Sequence, residues 1–367
     1  MANLKTKLCG IELDSPFVLG SGPCGWDAEA LALCSENGCG AVVTKSITVK
    51  GAVNTTRHMV SNGAMSLLNN EGGSDRPLSW WRDEQIKKAK ELGVKTLIAS
   101  VYGYAGPEET LEVSQICEEA GADMIELVNG YTEAADLVDS LKKIKSAVAI
   151  PVLVKVNANW KDTEEIAHAC DAAGADGITA IDSIGPVYRV DIATGCPVLG
   201  GNGYGYMTGE PILPIALRYV HDIAAHTDKN IIGLGGVTNA RAALEMLMAG
   251  ASAAGVCTAA ILKGPQLFRS LTHELSDLMD LYGYPDVASV SGLSLRKPLL
   301  EEVTADDFAF DPSRCVHCNQ CIVACPYRAR SFDGEGMMHV DSQACRVCGL
   351  CFGRCPKKAI YIDRQSS

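Results

Sequence analysis

Residues 315–355 carry the run Cys-x2-Cys-x2-Cys-x3-Cys-Pro twice, as Cys315, Cys318, Cys321, Cys325, Pro326 and again as Cys345, Cys348, Cys351, Cys355, Pro356. Three closely spaced thiolates with a fourth before proline is the spacing that holds cubane iron–sulfur clusters, the fourth cysteine of each run ligating the other cluster. The expected ligand sets are therefore Cys315, Cys318, Cys321 with Cys355, and Cys345, Cys348, Cys351 with Cys325. Zinc sites more often group cysteines as separated pairs, and disulfides belong to oxidising compartments, so both alternatives fit this spacing less well. The segment is expected to fold around two [4Fe-4S] clusters and to move single electrons.

The chain has 367 residues, so roughly 55 around the clusters leave about 310 upstream, room for one large or two ordinary domains. A hydrophobic fraction of 47% and a charged fraction of 21% suit a well-cored globular protein. No run of about 18 apolar residues suggests a membrane span, and Met1-Ala-Asn-Leu-Lys-Thr-Lys is too polar for a secretion signal. A net charge of −12 argues against nucleic acid or an anionic membrane as partner. Cys9, Cys24, Cys34, Cys39, Cys117, Cys170, Cys196 and Cys257 show no pairing pattern. With oxygen-sensitive clusters downstream they read as buried thiols of a reducing, cytoplasmic, anaerobic setting.

Upstream, short apolar runs alternate with amphipathic stretches. The expected strands are 16–20, 40–45, 95–101, 123–128, 151–156, 176–181, 230–235 and 252–257. Helical patterns fall at 26–37, 80–92, 107–120, 133–147, 162–173, 211–226 and 238–249. Several end in glycine just before the next strand, as at Glu36-Asn37-Gly38-Cys39-Gly40, Gly121, Gly174 and Gly250, the C′ glycine of a repeating βα unit. Eight such units in about 270 residues predict an α/β fold, a (β/α)8 TIM barrel with a parallel sheet. A doubly wound open sheet fits less well, because no glycine-rich turn follows the first strand. The expected organisation is a barrel over 1–284, a linker over 285–312 and a small ferredoxin-like module over 313–367.

In such a barrel the chemistry gathers at the C-terminal ends of the strands. Those ends read Ser21-Gly22-Pro23-Cys24, Lys45-Ser46, Tyr102-Gly103-Tyr104, Asn129-Gly130-Tyr131, Lys155-Val156-Asn157, Asp182-Ser183, Gly235-Gly236 and Cys257-Thr258. A lysine ending an apolar strand must reach a partner. One reading pairs Lys45 and Lys155 with carboxylates such as Glu126 or Asp182. The other places them along a flavin, where a cation near N1 and the C2 carbonyl stabilises the reduced ring. Gly235-Gly236 and Cys257-Thr258 follow the seventh and eighth strands, where barrels of this kind cradle a phosphate, and their backbone N–H groups suit FMN.

At these residues the chain resembles the dihydroorotate dehydrogenase and dihydropyrimidine dehydrogenase family over about residues 5–300. Thr44-Lys45-Ser46, Pro151-Val-Leu-Val-Lys155, Asp182-Ser183-Ile184-Gly185, Gly200-Gly201, Ile231-Ile-Gly-Leu-Gly-Gly236 and Thr258-Ala-Ala-Ile-Leu-Lys-Gly264-Pro265 keep the family's order and spacing. The resemblance implies an FMN barrel, with Ser21, Gly22, Lys45, Ser46 and Lys155 along the flavin. It implies Gly201, Gly235, Gly236, Cys257 and Thr258 around the phosphate, and Asn69 or Asn70 with Ser183 near the substrate. Two departures stand out. The family's Glu-Leu-Asn-x-Ser-Cys-Pro loop is here Glu126-Leu127-Val128-Asn129-Gly130-Tyr131-Thr132, and Asp182 stands where an amide is expected. Tyr131 becomes the positional candidate for the missing acid, with aromatic packing as its plain alternative. Cys24 is the next candidate and Lys45 also belongs with the reacting groups, while Asn129 and Asp182 alter the substrate contacts. His58, in the long loop after the second strand, is a weaker candidate, since a lone loop histidine is usually just solvated.

FMN exchanges electron pairs with carbon and single electrons with clusters. The expected enzyme passes electrons between an external carrier, two clusters, FMN and a small substrate with a carbon–carbon double bond conjugated to a carbonyl, with reduction as the expected direction. A ferredoxin or an NAD(P)H-oxidising flavoprotein subunit would be the redox partner, and a homo-oligomer is expected. The alternatives are an electron-transfer subunit whose barrel has lost catalysis, and a non-flavin barrel with an appended iron–sulfur module.

Overall fold

The computed structural model describes residues 1–103, 106–128, 134–297 and 303–362, with the side chains of 134–136 also outside the description. The chain divides into two compact units, Met1–Lys297 and Pro298–Ser367. Residues 285–297, expected in a linker, carry the helices Val287–Val290 and Leu293–Arg296 and belong to the first unit.

Eight strands close a barrel: β1 (Phe17–Leu19), β2 (Ala41–Val43), β3 (Leu97–Val101), β4 (Met124–Val128), β5 (Val152–Val156), β6 (Gly177–Ala180), β7 (Asn230–Leu234) and β8 (Ala253–Val256). Every neighbouring pair is parallel, and β8 pairs with β1 to complete the ring. All eight fall inside the expected segments, because each strand is covered on both faces and so reads as an apolar run. The helices between them start on side-chain caps where the sequence offers one. Asp27, Asp162 and Asn239 each accept a hydrogen bond from the backbone N–H three residues on, at 2.8, 2.9 and 3.0 Å. Gly174 ends its helix in the left-handed region, at φ +78°.

Strand alternation decides what the barrel encloses. Val18, Ala41, Val43, Ile98, Met124, Leu153, Ile232 and Ala253 pack with Leu8 and Leu13 of an N-terminal hairpin, Thr6–Leu8 with Ile11–Leu13. That apolar layer closes the lower barrel. Two residues further along the strands, the same inward rows carry Ser100, Glu126, Lys155 and Thr179, all buried. A polar layer therefore sits on an apolar one.

A four-stranded antiparallel sheet was not anticipated. It is built from Met59–Ser61, Ser66–Asn69, Ile184–Val187 and Gly205–Gly209, all in excursions from the C-terminal strand ends. Among the described residues no helix is long and apolar enough to cross a membrane.

The second unit repeats itself every 30 residues. Phe308–Phe310 pairs with Ile360–Ile362, and Arg330–Phe332 with Met338–Val340, each antiparallel. The helices Gln320–Val323 and Leu350–Arg354 occupy equivalent places. Positive φ recurs at the same offsets, at His317, Asn319 and Arg328 and again at Val347, Gly349 and Lys358.

Candidate active site

At the C-terminal end of the barrel lies a cavity of about 490 Å³. Twelve of the expected site residues line it: Ser21, Gly22, Lys45, Ser46, Asn69, Lys155, Asp182, Ser183, Gly235, Gly236, Cys257 and Thr258. They come from six different strand ends and from the antiparallel sheet, which supplies Asn69.

Lys155 sits at the base of the cavity on β5, 5% exposed. Its Nζ lies 3.9 Å from Glu126 Oε1 and 3.7 Å from Asp182 Oδ2. Burial pulls its pKa down, but the charges of Asp182 and Glu126 outweigh burial and the net shift is upward, so the side chain is a cation. Glu126 Oε2 accepts from the Thr179 hydroxyl at 2.9 Å, while its buried Oε1 has no hydrogen-bond partner. Lys45, the second lysine, pairs with Glu71. His58 Nε2 stands 3.7 Å from the same Glu71 oxygen, so this loop histidine does reach the edge of the site. Both lysines thus have the carboxylate partners of a structural pair while facing a cavity.

Hydroxyls continue the polar lining. Ser46 Oγ lies 3.2 Å from Ser21 Oγ and 3.1 Å from Ser100 Oγ. The Asp182 carboxylate accepts from the Ser183 N–H at 2.7 Å and its hydroxyl at 3.3 Å, and Thr258 donates to Thr208 at 2.9 Å. Burial pushes the Cys257 thiol up to about 12 despite Lys155 nearby, so it stays protonated.

The lining fits a flat cofactor with a phosphate. A Cβ on Gly22 would stand 2.7 Å from Cys257 Sγ. Gly235 and Gly236 adopt φ +123° and +84°, and a Cβ there would meet Ala216 and Leu213 at 2.9 and 2.6 Å. Only glycine carries the backbone through that turn. Neither donates its N–H to a backbone carbonyl among the described residues, as a phosphate cradle requires.

Four expectations need correction. Cys24, on the turn Pro23–Gly25, packs against the barrel core and does not line the cavity; burial raises its thiol pKa. Asn70 is also absent from the lining. Its amide donates to the Gly200 carbonyl at 3.0 Å and accepts from Thr55 at 3.3 Å, which spends it on the loop. Gly201, at φ +67°, sits in that same loop rather than at the cavity. The eight upstream thiols are not uniformly buried, since Cys196 is exposed. Tyr131 and Asn129 lie outside the described residues. Glu71, Thr208 and Asn159 line the cavity without having been singled out from sequence.

In the second unit the eight cysteines fall into two groups of four. One cavity is lined by Cys315, Cys318, Cys321 and Cys355, and another by Cys325, Cys345, Cys348 and Cys351. The Ala329 and Ala359 N–H groups donate to Cys325 and Cys355 Sγ at 3.4 and 3.1 Å. Burial pushes the Cys355 thiol up, but bonds from the Ala359, Ile360, Lys357 and Lys358 backbone carry it below its ordinary value, which favours the thiolate a metal needs. Among the described residues no three His, Cys, Asp or Glu side chains converge as for a single ion.

Residues 3–279 match the family profile described as dihydroorotate dehydrogenase, and residues 309–362 that of a 4Fe-4S dicluster domain. Among curated proteins, the chain is 36% identical over 306 residues to "Dihydroorotate dehydrogenase B (NAD(+)), catalytic subunit" of Methanothermobacter thermautotrophicus, covering 79% of this chain and 98% of that one. The protein of the same description from Thermoplasma acidophilum is 32% identical over 307 residues, 81% of this chain and all of the relative. That from Methanocaldococcus jannaschii is 36% identical over 293 residues, 74% and 92%. The chain belongs to the dihydroorotate dehydrogenase family, FMN-dependent oxidoreductases acting on CH–CH groups, and carries an iron–sulfur domain of the 4Fe-4S type at its C-terminal end.

Proposed function

We propose that the chain interconverts a carbon–carbon single and double bond next to a carbonyl in a small dihydroorotate- or dihydropyrimidine-like ring. Electrons pass between FMN in the barrel cavity, two [4Fe-4S] clusters bound by the crossed cysteine sets, and an external redox protein. The observation that carries this reading is the single cavity joining Lys45, Lys155, Asn69, Asp182 and Ser183 to the glycine turn at Gly235–Gly236. Bound there, FMN supplies the exchange between paired electrons at carbon and single electrons at the clusters.

The chain's own residues hold and orient. Lys155 offers a cation at the cavity base, kept charged by Glu126 and Asp182. The hydroxyls of Ser21 and Ser46 fix the ring edge, and Gly235, Gly236 and Thr258 hold the phosphate. Asn69, Ser183 and Asp182 face the substrate. Asp182 accepts hydrogen bonds where an amide could also donate, so the preferred ring presents a donor at that point. Tyr131, by its place in the sequence, is the proton donor to carbon. The relatives' description as catalytic subunits of NAD(+) enzymes supports a separate partner protein, an NAD(P)H-oxidising flavoprotein or a ferredoxin.

The test is an anaerobic titration of the flavin spectrum with orotate, dihydroorotate, uracil and simple cyclic enones. A saturable perturbation followed by reoxidation of the reduced protein by one of them is expected. A protein without extractable FMN, or one that none of these ligands perturbs or oxidises, would contradict the reading.

A further inference from the structure

The two cluster cavities are built from equivalent positions of the 30-residue repeat, with one substitution that matters. Phe308 and Met338, Tyr327 and Lys357, Ala329 and Ala359, Arg346 and Val316 take matching places around the two sets of thiols. Arg330 lines the cavity of Cys325, Cys345, Cys348 and Cys351, and its counterpart in the other cavity is Ile360. Arg346 and Lys357 are exposed, so water screens them and they balance across the two cavities. Arg330 is different. It is 4% exposed, stacks its guanidinium 5.5 Å above the Phe308 ring, and has no hydrogen-bond partner for Nη1 or Nη2.

A buried guanidinium without an anion is costly. Four thiolates make a cubane a net anion, and its one-electron reduction adds a further negative charge without moving an atom. Resting on the two-cluster reading above, we infer that Arg330 is the residue that splits the two potentials. Its charge and free N–H groups favour the reduced state of the cluster on Cys325, Cys345, Cys348 and Cys351. The first electron from a one-electron donor therefore rests there, and the cluster beside Ile360 is the lower-potential site.

The experiment is an anaerobic dithionite titration of the full chain followed by electron paramagnetic resonance, with iron counted on the same samples. Wild type should show two signals appearing at potentials separated by at least a tenfold difference in reduction equilibrium, about 59 mV for one electron. Arg330→Ile should lower the higher of the two potentials by a tenfold factor or more and nearly merge the signals, while Arg330→Lys keeps most of the separation. Eight irons per chain with equal wild-type potentials, or an Arg330→Ile variant that keeps the separation, overturns the inference while leaving the two-cluster reading intact. Fewer than eight irons in wild type overturns the two-cluster reading itself. If Arg330→Ile loses one cluster, Arg330→Gln and Arg330→Lys decide: Gln must lower the potential and Lys must not. Loss of the cluster in all three variants makes the guanidinium a packing element and overturns the inference.

Discussion

Replacing Lys155 by methionine removes the cation from the base of the cavity while keeping an unbranched chain of similar length. The consequence follows from Glu126, which is 1% exposed and has an oxygen with no hydrogen bond. At 3.9 Å and an effective dielectric of about 20, the Lys155–Glu126 attraction is about 4 kcal/mol. Asp182, with 37% of its side chain exposed, is screened by water and adds less. Breaking a buried pair leaves an uncompensated charge and costs about 3–5 kcal/mol. All four tryptophans, Trp26, Trp80, Trp81 and Trp160, lie in the barrel unit, so their fluorescence during urea unfolding reports that unit alone. Lys155→Met should unfold at lower urea by an amount equivalent to that loss, and adding Glu126→Gln should recover most of it. Stability and cofactor then separate: the double variant regains its midpoint but not its flavin potential, because the cation that favours reduced flavin is still missing. A single variant with the wild-type midpoint and unchanged FMN potential would refute the reasoning.

The crossed cysteine sets predict that Cys325→Ala damages the cluster held by Cys345, Cys348 and Cys351, and Cys355→Ala the one held by Cys315, Cys318 and Cys321; site-resolved spectra of the two variants check this, and damage to the sequence-adjacent cluster goes against it. Because burial holds the Cys257 thiol at about 12 against an ordinary value of 9.0, and the thiolate is the nucleophile, alkylation of Cys257 should rise about tenfold per pH unit from pH 8 to about 11. Mass spectrometry of the labelled peptide follows that rise, and a plateau near pH 9 would show an unshifted thiol. Tyr131→Phe should slow reoxidation of reduced flavin by substrate by about 10²–10⁴-fold and leave flavin reduction through the clusters near normal. Rapid mixing measures both half-reactions, and an unaltered oxidative half-reaction would leave Tyr131 as packing.

The barrel was legible because each of its strands is sheathed on both faces and several of the preceding helices end on a glycine turn. Lys155 was legible for a related reason: a charge in the inward row of an otherwise apolar strand marks the change from core to cavity. The antiparallel sheet was harder to see, since its strands are three to five residues long and sit in excursions rich in Asn, Gly and Ser. A signal was present, for Asn62-Gly63 lies between Met59–Ser61 and Ser66–Asn69, and Asn-Gly is a strong hairpin cue. Glu71 escaped because its role depends on that sheet, whose second strand ends two residues before it and brings it to Lys45. Asn70 and Gly201 were placed by analogy of spacing, and the structure uses both to close a loop. In the iron–sulfur unit the grouping of the cysteines around two cavities follows the spacing, whereas the Arg330 and Ile360 difference emerges only when the repeat is seen folded.

The most direct test of the whole account is to count electrons. Anaerobic coulometric titration of the purified chain should take up about four electrons, two at FMN and one at each of two clusters. A ring with a conjugated carbon–carbon double bond should then withdraw them in pairs as both flavin and cluster absorbances return. Uptake of two electrons or fewer, or a chain that stays reduced with every such substrate, would contradict it.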